Sequence, residues 1–175
     1  MEKLPWFPSQ DIFEDKRSEI DSAVSISAKN GQEFNLIRTK VVPVEVKGVK
    51  KTTLLGYEID YFIEDKTGVV FANINVRNNM NNNVEIIYYN NNSSLNGQGL
   101  ITAGLSRAVK DLFKGQILDG YPGERGPLKI DSIIMEIRRT NISSQKVATR
   151  NGFVYDSVSE YATLLKEDYL AAQVL

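Results

Sequence analysis

The sequence predicts an α/β protein with a mixed, mostly antiparallel sheet, strand-rich in its first half, and helices on both faces. Three observations predict it. First, apolar residues alternate with polar ones from Leu55 through Tyr57, Ile59, Tyr61 and Ile63, and again at Val70, Ala72, Ile74 and Val76, the period-2 signature of strands. Second, Ile101, Leu105, Ala108 and Leu112 are spaced four, three and four, which is one face of a helix. Third, a strand, a short helix and a hairpin follow between 132 and 165. A length of 175 residues suits one domain with one core, and no repeat or linker divides it. Within a single domain over 1–175, residues 1–33 read as an N-terminal arm with a helix, and 84–158 hold the informative motifs.

Taken in order, Pro5 and Pro8 make the first residues an extended arm, and Trp6 and Phe7 are expected to pack. Ser9 or Asp11 is placed to cap a helix to about Val24, with Ile12, Phe13, Ile20 and Val24 on one side. Asn30-Gly31 is a turn. Phe34 to Val46 is strand-like, with Pro43 marking an edge or bulge. Glu58 and Asp60 are the polar row of the next strand, and Asp65 to Gly68 turns the chain back. Asn73 and Asn75 are the polar row of the strand after it. Asn78 to Asn83 reads as a polar loop. Val84 to Tyr89 has few polar residues and reads as a central strand. Asn90 to Asn96 is a second loop, and the helix beyond it ends near Lys114-Gly115. Four glycines and two prolines make 115–129 a long loop. Ser132 to Ile137 is a strand, Ser143 to Arg150 a helix, and Phe153 to Val158 with Tyr161 to Leu165 a strand or hairpin.

Composition removes several kinds of chemistry. The chain has no cysteine, which excludes disulfides, thiolate metal sites and a thiol nucleophile. It has no histidine, so the commonest general base and metal ligand are missing. No metal is expected, and proton transfer falls to Asp, Glu, Tyr, Lys, Ser, a terminus or water. A net charge of −1 draws the chain to neither nucleic acid nor membrane. No signal peptide is legible and no window nears the ~18 apolar residues of a membrane span. A cytoplasmic protein, monomer or homodimer, is the expectation.

The chemistry lies between Val84 and Phe153. Gly97-Gln98-Gly99 stands just before a helix. Glycines there let the backbone turn tightly and approach a ligand, and the helix N-terminus offers unpaired amides at its positive end. This suits a pyrophosphate, although such a sequence is also an ordinary tight turn. It is not a P-loop, since no Gly-Lys-Ser/Thr follows, and it lacks the third glycine of a dinucleotide fingerprint.

Two motifs resemble a known family. Ser94-Leu95-Asn96-Gly97-Gln98-Gly99 is similar to the Arg/Gln-x-x-Gly-x-Gly/Ala motif of the GCN5-related N-acetyltransferase superfamily, with Ser94 in the place of Arg or Gln. About 45 residues on, Asn141 opens a second block with Ser144, the apolar Val147, the basic Arg150 and Gly152-Phe153 at the family's spacing. The Ser at position 144 most resembles the branch that acetylates ribosomal-protein N-termini. The resemblance covers roughly 84–158, and 55–76 fits the preceding hairpin more loosely.

The resemblance implies strands splayed around acetyl-CoA. The strand before the loop, Val84 to Tyr89, would part from Ser132 to Ile137, and the pantetheine arm would lie between them against Ile87 and Tyr88. The loop from Leu95 through Asn96, Gly97, Gln98 and Gly99 to Leu100 would hold the pyrophosphate. Arg150 would serve the cofactor, and Asn141 would meet the arm near its reactive end. Glu85 stands where many relatives carry a base, with Glu136 as its rival. The family's phenolic acid falls at Val147, which removes it. Ser144 is the residue that would support the leaving thiolate, or else it is part of a helix cap. Tyr88, Tyr89 and Tyr155 are further acids or simply packing residues. The helix pair that the family carries between its first two strands has no counterpart here, and that pair lines the acceptor side. The implied activity is transfer of acetyl from acetyl-CoA to an amine by direct attack in a ternary complex. A protein N-terminus, a polyamine and another small amine are the acceptors left open. The alternatives are an acyl-CoA-binding module of weak catalysis and a binding protein unrelated to CoA.

Overall fold

The computed structural model describes residues 10–90 and 93–174. Trp6 and Phe7 lie outside them. A short helix, α1 (Gln10–Asp15), leads into β1 (Ile20–Ser27), β2 (Glu33–Thr39), β3 (Val42–Lys47), β4 (Thr52–Asp65), β5 (Val70–Asn78) and β6 (Asn83–Asn90). Then come α2 (Leu100–Phe113), the two-residue strands β7 (Pro122–Gly123) and β8 (Gly126–Pro127), and β9 (Ser132–Glu136). The chain ends with α3 (Ile142–Arg150), β10 (Val154–Asp156), β11 (Tyr161–Leu165) and α4 (Lys166–Ala172).

One sheet runs in the order β1-β2-β4-β5-β6-β9-β11-β10, with β3 beside β4. Every pairing is antiparallel except β6 with β9. A parallel pair needs a crossover, and α2 supplies it. The long β4 carries two partners on one edge: β2 pairs with 61–65, and β3, which holds Pro43, with 52–58.

The main core lies between the sheet and α2. Leu105, Ala108 and Leu112 are fully buried against strand residues such as Ile63 and Ile74. The helix comes close enough at Gly104 that a β-carbon there would lie 2.6 Å from Ile74 Cδ1. Asp111 ties α2 to the sheet. Its carboxylate accepts from Arg38 at 2.8 Å, Arg107 at 3.0 Å and the Tyr61 hydroxyl at 2.8 Å. Burial, and then the neighbouring Asp111 charge, push the Tyr61 phenol far above its ordinary range.

On the opposite face α1 sets Phe13 edge-on to Phe62, their centroids 5.0 Å apart, with Ile37 and Val70 completing a smaller cluster. Helices therefore cover both faces, as expected, but several details differ from the sequence reading. The helix expected to reach Val24 stops at Asp15, and 20–27 is a strand. Val24 and Ile26 alternate into the main core, Ile20 packs on the other face beyond a register shift, and β2 provides the hydrogen-bond partner. The polar row of Asp60, Asn73 and Asn75 is buried, not solvated. The amides of Asn73 and Asn75 each donate to Asp60 at 3.0 Å, and Lys16 ion-pairs with it from the far side. This satisfies the buried charge. Val70 leaves the row of Ala72, Ile74 and Val76 because the register shifts between Ile63 and Glu64. Leu55 is 47% exposed because β3 pairs with Gly56 and Leu54 and skips it.

The asparagine run is a tight, fully used turn. The Asn78 amide donates to the Asn81 and Asn83 carbonyls, at 2.5 and 2.8 Å, and its oxygen accepts from Met80 N. Asn82 and Asn83 reach across to Lys129 N and Ser132 Oγ. The turn thus anchors the start of β6 to the start of β9, just where these strands pair.

Candidate functional site

The parallel strands β6 and β9 are in register at only three positions: Asn83 with Ser132, Val84 with Ile133 and Glu85 with Ile134. Beyond Glu85 the two strands part. β6 stays bonded to β5 as far as Asn90, and β9 to β11 as far as Glu136. The peptide groups of β6 from Ile86 onward therefore border a gap. A cleft of about 210 Å³ fills it, lined by Ile86, Ile87 and Tyr88 on one wall and by Met135 to Arg138 on the other, with Asn141 and Ser144 above. Val84 and Ile86 point into the main core, so by alternation Glu85, Ile87 and Tyr89 point to the opposite face.

A second cleft of similar volume continues it toward the glycine loop. Tyr88, Asn141 and Ser144 line both. Leu95, Asn96, Gly97, Gly99, Leu100, Ile101 and Thr102 form one side of this second cleft, and Val147 and Arg150 the other. Gly97 and Gly99 adopt φ of +77° and +81°, left-handed values that a side chain resists. A β-carbon at Gly97 would meet no atom within 4 Å. The backbone therefore presents itself bare to the cleft. Gly99 is the N-cap of α2, and no side chain caps it. The first helical bond is Ala103 N to Gly99 O, which leaves the amides of Leu100 to Thr102 without helical partners. No acidic residue occupies that first turn, so its positive end faces the cleft uncompensated. The Arg150 side chain adds a cation at the cleft's edge. The donor set fits a phosphate-bearing ligand with an extended arm.

Gln98 does not line this cleft. Its amide donates to Leu95 O at 3.2 Å, its carbonyl accepts from Lys29 N, and its side-chain oxygen accepts from Asn30 N at 3.0 Å. Gln98 pins the loop to the turn between β1 and β2. That turn also lays the Lys29 side chain along Gly99, its Cε 3.6 Å from where a β-carbon would stand. Nothing in the sequence pointed to Lys29, which lies 70 residues away from the loop that it touches.

At the start of α3, Asn141 is the N-cap, and its oxygen accepts from Ser144 N at 3.2 Å. Of the two readings of Ser144, the helix cap is thus taken by Asn141, three residues earlier. This leaves the Ser144 hydroxyl free of capping, and it meets the Tyr88 hydroxyl at 2.6 Å. Burial pushes the Tyr88 phenol up, and the bond to Ser144 partly offsets this. Tyr155 is engaged elsewhere, donating to the Ile137 carbonyl at 2.9 Å. Glu85 is half-buried at the apex of the splay and does not line either cleft. Glu136, exposed on the facing strand, lines the first one.

A splayed parallel pair, joined by a helix that starts at a glycine loop and followed by a short helix and a hairpin, is the fold of the GCN5-related N-acetyltransferases. Among solved structures, the chain is similar to a single-site variant of the spermidine N-acetyltransferase of Vibrio cholerae, with a TM-score of 0.50 and 14% identity over 66% of this chain and 69% of that one. A chimera of the same enzyme gives 0.50 and 16% over 65% and 69%. At these identities the likeness establishes a shared fold. No protein-family model matches the sequence, and no curated protein matches it.

Proposed function

We propose that the protein is an acetyl-CoA-dependent N-acetyltransferase that acts on an amine by direct attack in a ternary complex. The observation that carries this reading is the gap between β6 and β9, whose cleft adjoins that of the uncapped glycine loop along Tyr88, Asn141 and Ser144. The loop and α2 amides, with Arg150, would hold the pyrophosphate. The unpaired edge of β6 at Ile87 and Tyr88 would bond the arm, and Asn141 would meet it near the reactive end.

Bound acetyl-CoA supplies a thioester carbonyl activated toward a neutral amine. The chain's own part is to orient that carbonyl, offer it a β6 amide as charge develops on oxygen, and accept the amine's proton. Glu136, which lines the cleft, is our choice for that base. Glu85, at the apex on the same sheet face, is the second carboxylate and would act through water. For the acceptor we favour a small amine over a protein N-terminus. The fold is shared with an enzyme described as acting on spermidine, while the likeness to the ribosomal branch rests on Ser144.

Free-thiol release from acetyl-CoA, measured against a panel of polyamines, other small amines and N-terminal peptides, tests this. Turnover with a small amine is expected. Glu136→Gln should lower kcat about 100-fold, the scale of general-base removal, and Glu85→Gln by less. CoA binding with no turnover on the whole panel would favour the acyl-CoA-binding module instead, a reading helped by Glu85 standing outside the clefts.

A further inference from the structure

We propose that Tyr88 and Ser144 form one proton relay to the departing thiol, so that a phenol on β6 does the work that Val147 on α3 cannot do. The inference rests on reading the site as one for acetyl-CoA.

The relay's geometry is direct. The two hydroxyls are 2.6 Å apart. Both residues line both clefts, so an arm passing from the gap to the glycine loop runs beside them. Ser144 and Val147 are three residues apart and share a face of α3. A phenol from the opposite wall thus delivers its hydroxyl to the strip of helix where Val147 leaves no acid. Asn141 fixes Ser144 through the cap bond to its amide. The Tyr88 ring is packed against the main core, so the hydroxyl is held in place. The other tyrosines considered from sequence are less suited. The Tyr155 hydroxyl is taken by the Ile137 carbonyl, and Tyr89 points to the other face. Burial also favours the protonated phenol, the form that a donor needs.

The step balances within the site. As the amine nitrogen bonds to the carbonyl carbon, the carbon–sulfur bond breaks and its electron pair leaves on sulfur. Ser144 passes its proton to sulfur and takes the proton of Tyr88, which regains one from water. The amine's proton goes to the carboxylate.

Because the acceptor is unidentified, the test uses CoA alone. The thiol of bound CoA is titrated by thiolate absorbance in the wild type, Tyr88→Phe, Ser144→Ala and the double variant, with calorimetry to verify that CoA is bound. Charged groups lining the clefts, Glu136, Arg138 and Arg150, are untouched by these changes, and Phe keeps the ring's packing. The bound thiol should ionise about one pH unit lower in the wild type than in Tyr88→Phe. Ser144→Ala should match Tyr88→Phe, and the double variant should add nothing further. Equal thiol ionisation in wild type and Tyr88→Phe, both with CoA bound, would overturn the relay, as would two single effects that add in full. A wild type that binds no CoA would overturn the cofactor reading beneath it.

Discussion

Asp111 holds three partners that come from three elements: Arg38 from β2, Tyr61 from β4 and Arg107 from its own helix. The carboxylate side chain is 10% exposed and that of Arg38 16%. Removing the acid would leave the buried Tyr61 phenol without its partner and the Arg38 guanidinium with Asp21 alone. Asp111→Ala is expected to cost about 3 kcal/mol, seen as a lower urea midpoint with an unchanged m-value. The candidate site shows the same economy. Gly97 was legible from sequence because a glycine before a helix has a local meaning. Gln98 was read as one more loop amide, and its role as a pin was hidden because the pinning turn, at Lys29 and Asn30, is remote in sequence. The Tyr88–Ser144 bond was hidden for the same reason: the partners are 56 residues apart.

Elements with a strong period and a local partner were readable. β4, β5 and α2 lie where alternation or the 3.6 period put them, and β6 and α3 where the sequence reading placed a strand and a short helix. β1 was misread because Phe13, Ile20 and Val24 also fit a helical stripe, and only the pairing with β2 decides between the periods. The burial of Asp60, Asn73 and Asn75 was unreadable because the ion-pair partner, Lys16, comes from just beyond α1, more than 40 residues away in sequence. One glycine in β4 has a meaning that propensity does not reveal. Gly56 has φ of +149°, and a β-carbon there would lie 1.9 Å from Asn78 O. The obstructing atoms are all backbone of Asn78 and Asn79, which leaves little room to yield. Gly56→Ala should lose at least about 2 kcal/mol, and thermal unfolding of the purified variant would measure it. An unchanged midpoint would mean that β4 and the asparagine turn are not packed as described.

Across the whole molecule, the C-terminal half keeps the splayed strands and glycine loop of the shared fold while the N-terminal half departs from what the resemblance implies. Between β2 and β4 the chain makes β3 and turns, and no helix occurs among residues 40–51. The face opposite α2 is instead covered by α1, which precedes the sheet. The cover of that face is therefore built differently from what the resemblance implies. Binding of acetyl-CoA does not depend on which amine is acetylated. The most direct measurement is calorimetric titration of acetyl-CoA into the wild type and into Gly97→Trp. Gly97 lines the cleft and a β-carbon there meets no atom within 4 Å, so the fold should survive at a cost of about 1 kcal/mol for the left-handed backbone. Saturable one-to-one binding is predicted for the wild type, with affinity lost at least about 100-fold in a variant that retains its circular dichroism. Equal binding by both proteins, or no binding by the wild type, would contradict the account.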